Sequence, residues 1–452
     1  MELAGKRVAV VGLGASGLSA GRLCTLRGAQ VVGFDEASME RLGTRATLAS
    51  AAGIAVRSGP LSAASLEAFD VVIVSPGLPD HESFHRAAAA GAEVIGELEL
   101  ASRFLSAPLV LVGGTNGKST TTALVAAMLE ASGKRVFIGG NFGTPLADAV
   151  GRDFDALVVE ISSFQAERVP TLHARAHALL NVTDDHLDRY ASFEDYAAAK
   201  GNPFVTMGPA DVAAVPFGDA LCAAQAHRGN ARVVTFGPQD PAADITIVEG
   251  RFVDRDRGLS APVSSLRLAG AHNLANACAA LGVLRAFDLG AAPEVSGYVE
   301  RAFERFDGLG HRCVLVAEVD GVRYYDDSKG TNVGASVAAL VGLAEPRAVL
   351  IAGGRDKQGS YAPLVEALAR KGRALVVLGE AADRIAAAAE GVLPIERADS
   401  MASAVQAARA LARRGDAVLL SPACSSFDMF GSYKERGDAF VAAVRRWTEG
   451  EA

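Results

Sequence analysis

The stretch PLVLVGGTNGKSTTTALV, residues 108–125, decides how the rest of the chain is read. An apolar run of strand character enters a glycine-rich loop, and the loop opens directly into an Ala/Leu helix pattern. A glycine loop before a helix N-terminus is phosphate-binding architecture, because loop N–H groups and the positive helix end can surround phosphate oxygens. The candidate phosphate ligands are Gly114, Thr115, Asn116, Gly117, Lys118, Ser119 and Thr120. Lys118 would neutralise the phosphates, and the hydroxyl of Ser119 or Thr120 can reach a magnesium ion. Position 112 is valine, so the strict Walker spacing fails and only the shorter form from Gly114 to Thr120 remains.

Upstream, residues 7–11, 31–34, 71–74 and 94–95 read as short buried strands separated by helical stretches at 16–27 and 82–90. Downstream come strands in RVFIGG and ALVVEIS. Of the segments 211–215 and 233–236, only the second reads as a strand, and a helix over 272–286 closes the unit. After FDGLGHR, residues 306–312, a third segment opens with CVLVAEV, an Asp320-Gly321 turn suited to a hairpin, and VRYYDD. Strands AVLIAGG, ALVVLG and AVLLSPA then alternate with helical stretches. The fold class is α/β, with three successive α/β domains. They are a Rossmann-like N-terminal domain over 1–97, a central P-loop-type ATPase domain over 98–305 and a Rossmann-like C-terminal domain over 306–452.

Bulk properties agree with several domains: 452 residues exceed what one core normally covers. Half the residues are hydrophobic and 21% charged, as in a globular protein, while 6% aromatics argue against base-stacking surfaces. A net charge of −8 without a basic block argues against nucleic-acid and anionic-membrane binding. The five cysteines are scattered without CxxC spacing and read as reduced structural thiols. No apolar run is long enough to span a membrane and no signal pattern is read at the N-terminus, so a cytoplasmic enzyme is expected.

Acidic and imidazole groups follow the loop in a definite order. Glu160 ends the apolar strand LVVE, and NVTDDHLDRY, residues 181–190, follows the run ALL. In a parallel α/β unit the C-terminal strand ends line one crevice, so both segments should converge on the phosphate loop. Hard oxygens from Glu160 and a hydroxyl suit magnesium held against triphosphate oxygens. For His186, a helix cap or surface contact is the bland alternative.

The motifs GGTNGKSTTT, GGNFGTP, VVEISSFQ, NVTDDHLDRY, AGAHNLANACAA, GLGHR, DDSKGTN, GGRDK and LLSPACSSFDMF occur in the order of the Mur ligases, and the chain resembles that family over nearly its whole length. EISSFQ, DDHLDRY and SPACSSFDMF are most similar to the branch that adds D-glutamate to the peptidoglycan precursor. The resemblance implies ATP and two magnesium ions as cofactors. It implies UDP-N-acetylmuramoyl-L-alanine and D-glutamate as substrates, and a monomer acting without nucleic acid or membrane. Ser119 or Thr120 and Glu160 would serve magnesium, and His186 would help hold the second metal or the substrate carboxylate. Lys200 matches a lysine that family members carry as a carbamate; on local context it is equally a helix-surface lysine. Asn273 and Asn276, three apart on one helix face, match positions near adenine, with helix capping as the alternative. Arg312, Asp327 and Lys329 would meet ATP or the developing anion. Thr331, Lys357, Ser426 and Tyr433 would bind D-glutamate, a cation plus donors for a diacid. Asn141, in GGNFGTP, would contact the UDP substrate. The chain departs from the family at Gly310, at Gly201-Asn202-Pro203 after Lys200, and in the residues before Lys357.

The N-terminal stretch VVGLGASGLSA, residues 10–20, carries Gly12, Gly14 and Gly17 in the spacing of a dinucleotide fingerprint, with Asp35 after the next strand. An NAD-dependent oxidoreductase would use them, but it leaves GGTNGKST unexplained. Glycine turns at a helix N-terminus attract any diphosphate. Gly14, Ala15 and Ser16 are therefore expected to hold the UDP diphosphate, with Asp35 and Glu36 near the uridine. Another Mur-type or folylpolyglutamate-type ligase, and a nucleotide-binding regulator without turnover, are the remaining alternatives.

Overall fold

The structure is a computed structural model that describes residues 1–61, 65–185, 189–268 and 270–448. Three sheets follow one another along the chain. The first has five parallel strands in the order Ala55–Ser58, Gln30–Asp35, Arg7–Val11, Val71–Val74 and Glu93–Ile95. Helices Ala15–Leu26 and Glu82–Ala89 stand where the apolar spacing places them. The strand Ala55–Ser58 escapes sequence reading because it lies at the sheet edge and none of its residues is buried.

The second sheet has nine strands. Its parallel part runs Ile245–Val248, Arg232–Phe236, Val212–Pro216, Ala176–Leu179, Leu109–Gly113, Ala156–Glu160 and Val136–Gly140. Arg251–Asp254 and Leu259–Pro262 add antiparallel at one edge. The segment passed over at 211–215 is thus a strand; its VAAVP is buried but short of the β-branched residues that mark strands. The helix expected over 272–286 spans Ala271–Leu284, and a further helix, Ala292–Arg305, buries Val295, Val299, Ala302 and Phe303 at helical spacing. Arg285 fastens the edge strands by a bidentate pair to Asp254, with Nε and Nη2 at 3.0 and 2.6 Å from its carboxylate oxygens.

The third sheet has six strands, Val314–Val319, Val322–Asp326, Ala417–Leu420, Ala348–Gly353, Gly372–Leu378 and Ile395–Arg397. The first two form the hairpin read from Asp320-Gly321, where both turn residues have positive φ, 55° and 76°. Leu350, Leu375 and Leu419 face one core, and Val349, Val376 and Val418 face the other. Burial on both faces is why these strands read as continuous apolar runs. Each fully buried Val or Leu contributes roughly 1.5–3 kcal/mol relative to exposure.

By compactness the chain divides into two units: residues 1–182, 194–263 and 277–303 hold the first two sheets, and residues 183–193, 264–276 and 304–452 hold the third. Within the first unit, the helix Glu97–Ser102 links its two sheets through buried carboxylates. Glu97 Oε1 accepts the Ala147 amide at 2.6 Å, and Glu99 Oε2 accepts the amides of Thr171 and Leu172 at 3.0 and 2.8 Å. The five cysteines are unpaired thiols. Among the described residues no helix is long and apolar enough to cross a membrane.

Candidate active site

The loop from Gly113 to Gly117 joins the strand Leu109–Gly113 to the helix Lys118–Ala131. Gly114 has φ +131°, and a Cβ there would lie 3.0 Å from Leu180 Cβ and 3.3 Å from the Asn181 amide nitrogen, so only glycine fits. Gly117 caps the helix in the left-handed region without a side-chain cap. Lys118 Nζ donates to Thr115 O at 2.8 Å, folding the cation back over the loop.

Glu160 is the last residue of the strand beside Leu109–Gly113, and the residue is 2% exposed. The Ser119 hydroxyl donates to Glu160 Oε2, and Asn141 Nδ2 donates to Oε1 at 2.6 Å. Thr120 is buried beside Ser119 in the first turn. Asn141, expected at the UDP substrate, therefore orients the carboxylate in this structure. Among the described residues no three His, Cys, Asp or Glu cluster as a metal site. A serine hydroxyl and one carboxylate at a phosphate loop fit magnesium, which keeps waters and phosphate oxygens in its shell. His186 lies outside the described residues.

Lys200, in the helix Phe193–Gly201, is not a surface lysine: it is 5% exposed, and Nζ donates to Gly114 O at 2.7 Å with the Tyr196 ring 4.5 Å away. Tyr196 in turn shares a hydrogen bond with Thr115 Oγ1 at 3.1 Å. The Gly201-Asn202-Pro203 departure ends the helix in a single 3₁₀ turn, Asn202–Phe204. Asn181, two residues past the strand Ala176–Leu179, binds the loop backbone at Thr115 and Asn116. Asn181 opens the motif NVTDDHLDRY, but an asparagine just past a strand has no sequence signal that marks it as a partner of the loop.

In the N-terminal domain, a Cβ on Gly17 would meet Gly12 O at 1.9 Å, so packing demands glycine there. Gly14 has nothing within 4 Å of such a Cβ, leaving open space at the helix N-terminus beside Ala15 and Ser16. Asp35 accepts the amides of Leu13 and Ala37 at 2.8 and 3.0 Å, and Glu36 accepts that of Leu61 at 3.3 Å. Asp35 thus braces the loop that leads into this helix.

In the second unit, Asn276 Nδ2 donates to Asn273 Oδ1 at 3.2 Å, which pairs the two amides on one helix face. Asp327 is buried, and its pKa is pushed up to about 7 by desolvation, against the Ser421 hydroxyl bond at 2.6 Å and the charge of Arg312. Lys329 Nζ stands 4.2 Å from the centre of the Tyr433 ring. Lys357 Nζ pairs with Asp185 Oδ1 at 3.0 Å, while Asn332 Nδ2 holds the other oxygen at 3.1 Å. Thr331 precedes Asn332 in the same loop, and its amide donates to Lys329 O at 2.8 Å. Ser426 is buried in the loop before the helix Tyr433–Thr448. Arg436, fully buried in that helix, donates to Ser328 O at 2.8 Å and Cys424 O at 3.1 Å, tying together the loops that carry Lys329 and Ser426. An arginine in YKERGDAF carries no sequence signal of burial, whereas Asp185 was visible in the DDH motif.

Three family descriptions match the chain in order: Mur ligase MurD-like, N-terminal domain, over residues 6–96; Mur ligase middle domain over 112–284; and Mur ligase, glutamate ligase domain, over 311–424. The chain is 44% identical, over 98% of both lengths, to the UDP-N-acetylmuramoylalanine--D-glutamate ligase of Syntrophotalea carbinolica. It is 40% identical, over the full length of both, to the protein of the same name from Geobacter metallireducens. Among solved structures, the UDP-N-acetylmuramate-alanine ligase of Thermotoga maritima superposes with a TM-score of 0.60 at 20% identity, covering 98% of this chain and 99% of that one. A folylpolyglutamate synthase of Mycobacterium tuberculosis, solved with ADP and AMPPCP, gives 0.59 at 16% identity over 78% of this chain and 93% of that one. These two likenesses show the fold.

Proposed function

The chain belongs to the Mur ligase family, and on that premise we propose that it is an ATP-dependent ligase joining D-glutamate to UDP-N-acetylmuramoyl-L-alanine in peptidoglycan precursor synthesis. The observation that carries this reading is 44% identity, along 98% of both chains, to a relative named for that reaction. In this reading residues 1–97 take the UDP substrate, 98–305 take ATP and 306–452 take D-glutamate. The protein works as a cytoplasmic monomer.

The chemistry follows from the poor electrophilicity of a carboxylate. The substrate carboxylate oxygen attacks the γ-phosphorus of ATP, ADP leaves, and an acyl phosphate forms. The neutral D-glutamate amine then adds to the acyl carbon, and the tetrahedral intermediate gives up an amine proton as the C–O bond breaks and phosphate departs, closing the amide. Lys118 and the first turn of its helix hold the nucleotide phosphates, and positioning with charge neutralisation carries the transfer. Ser119, Thr120 and Glu160 would hold magnesium, with His186 at a second ion. Bound there, magnesium supplies charge neutralisation for the phosphates and for the developing anion.

The family resemblance also points to a carbamate on Lys200. The unmodified amine is already buried on the phosphate loop, so carbon dioxide addition would turn a cation there into an anionic oxygen ligand. Asn273, Asn276 and Arg312 attend the nucleotide, as do Asp327 and Lys329. Thr331, Lys357, Ser426 and Tyr433 receive the two carboxylates of D-glutamate. For Lys357 this means exchanging Asp185 for a substrate carboxylate.

An isotope experiment tests the reaction. UDP-N-acetylmuramoyl-L-alanine labelled with heavy oxygen in its free carboxylate, incubated with ATP and D-glutamate, should pass one labelled oxygen to each phosphate released. Unlabelled phosphate formed together with amide product would contradict the acyl phosphate, and absence of amide product would contradict the ligase itself.

A further inference from the structure

We propose that Asn181 is a positioning residue that fixes the backbone of the phosphate loop and divides the loop's amides into two sets. One set is committed to Asn181 and the other is left to face phosphate. The inference rests on the ATP site proposed above and changes which loop residues do the binding.

The side-chain amide of Asn181 makes a two-way match with a single loop residue: Oδ1 accepts Asn116 N at 2.9 Å and Nδ2 donates to Asn116 O at 3.0 Å. The same Oδ1 accepts Thr115 N at 3.2 Å, and the main-chain oxygen of Asn181 accepts that N–H at 2.9 Å. Asn181 thereby pairs with the loop much as a neighbouring strand would, extending the parallel pairing of Leu109–Gly113 with Ala176–Leu179 beyond its last rung. The absent side chain of Gly114 permits this approach, since any Cβ there would run into Leu180 and Asn181.

An N–H can point in one direction. Those of Thr115 and Asn116 are turned toward Asn181, so the next loop amide open to a bound phosphate is that of Gly117, at a helix start that carries no side-chain cap. The amides of Thr115 and Asn116 thus drop out of the phosphate cradle expected from GGTNGKST. A loop fixed before the ligand arrives loses less freedom on binding, which is the benefit a positioning residue confers. Lys118 follows Gly117 directly and would reach the β- and γ-phosphates, so the effect should depend on the β-phosphate.

Calorimetry with ADP and AMP on the full-length protein tests this. For Asn181→Ala we expect ADP affinity to fall about tenfold while AMP affinity stays within about twofold, the scale of one or two neutral hydrogen bonds. The KM for ATP should rise and the KM for D-glutamate should stay unchanged. Equal loss of ADP and AMP would make Asn181 a general structural residue and overturn the proposal. So would unchanged ADP affinity in a folded variant.

Wild-type protein supplies a second readout that needs no variant. The Asn116 amide should be protected from hydrogen exchange before ADP is added and gain nothing on binding, whereas that of Gly117 should gain protection. An Asn116 amide that becomes protected only with ADP would overturn the proposal. Wild type that binds neither ATP nor ADP would instead overturn the ATP site on which it rests.

Discussion

Glu97 sits at the junction of the first two sheets with its side chain withdrawn from water. Oε1 accepts the Ala147 amide at 2.6 Å, while Oε2 is buried with no hydrogen-bond partner. Desolvation raises its pKa from 4.5 to about 7, and the neighbouring charge of Asp148 pushes in the same direction. The folded chain therefore holds a proton that the unfolded chain has released between about pH 4.5 and pH 7. The contribution of Glu97 to stability is most favourable below this window, falls as pH rises through it, and levels off above it. At about 1.36 kcal/mol per pKa unit the span amounts to roughly 3 kcal/mol. Glu97→Gln keeps an oxygen for the Ala147 amide and removes the titration. The assay is urea unfolding of both proteins at several values between about pH 5 and pH 8, with all other carboxylates common to the two. The variant should gain on the wild type by about 2.5 kcal/mol between about pH 5 and pH 8, whatever its absolute stability. Parallel stability profiles for the two proteins would refute the reasoning.

Lys118→Ala should lower kcat by about a hundredfold or more without unfolding the protein, because a preorganised cation over the phosphates is lost. Steady-state kinetics and circular dichroism check this. Lys357→Ala should raise the KM for D-glutamate by about tenfold to a hundredfold and leave the KM for ATP unchanged, the scale for losing one charged partner of a carboxylate. Lys200→Ala should abolish turnover, and the intact mass of wild type under carbon dioxide should exceed that of degassed protein by one carbon dioxide. A fully active Lys200→Ala protein would remove the carbamate.

Elements with an apolar run and a chemical signature at its end are legible in the sequence. LVLVGGTNGKST announces a strand, a loop and a helix because each local preference agrees with its neighbour. Glu160 and Asn181 lie at the phosphate loop because parallel strands deliver their C-terminal ends to the same side. Other features depend on tertiary context that no local pattern carries. Lys200 looks like a surface lysine in FEDYAAAK, yet it is buried against Gly114 and Tyr196. Arg436 looks solvated and is fully buried. Asp35 and Glu36 are expected near the uridine, and their hydrogen bonds to the amides of Leu13 and Leu61 are set by tertiary contacts that no local pattern shows. The edge strands from Ile245 to Pro262 are four residues each, too short for periodicity to register.

The most direct measurement of the central claim is release of ADP and phosphate with UDP-N-acetylmuramoyl-L-alanine while the amino acid is varied. Release that depends on D-glutamate is predicted. Equal release with L-alanine or meso-diaminopimelate, or none with D-glutamate, would contradict it.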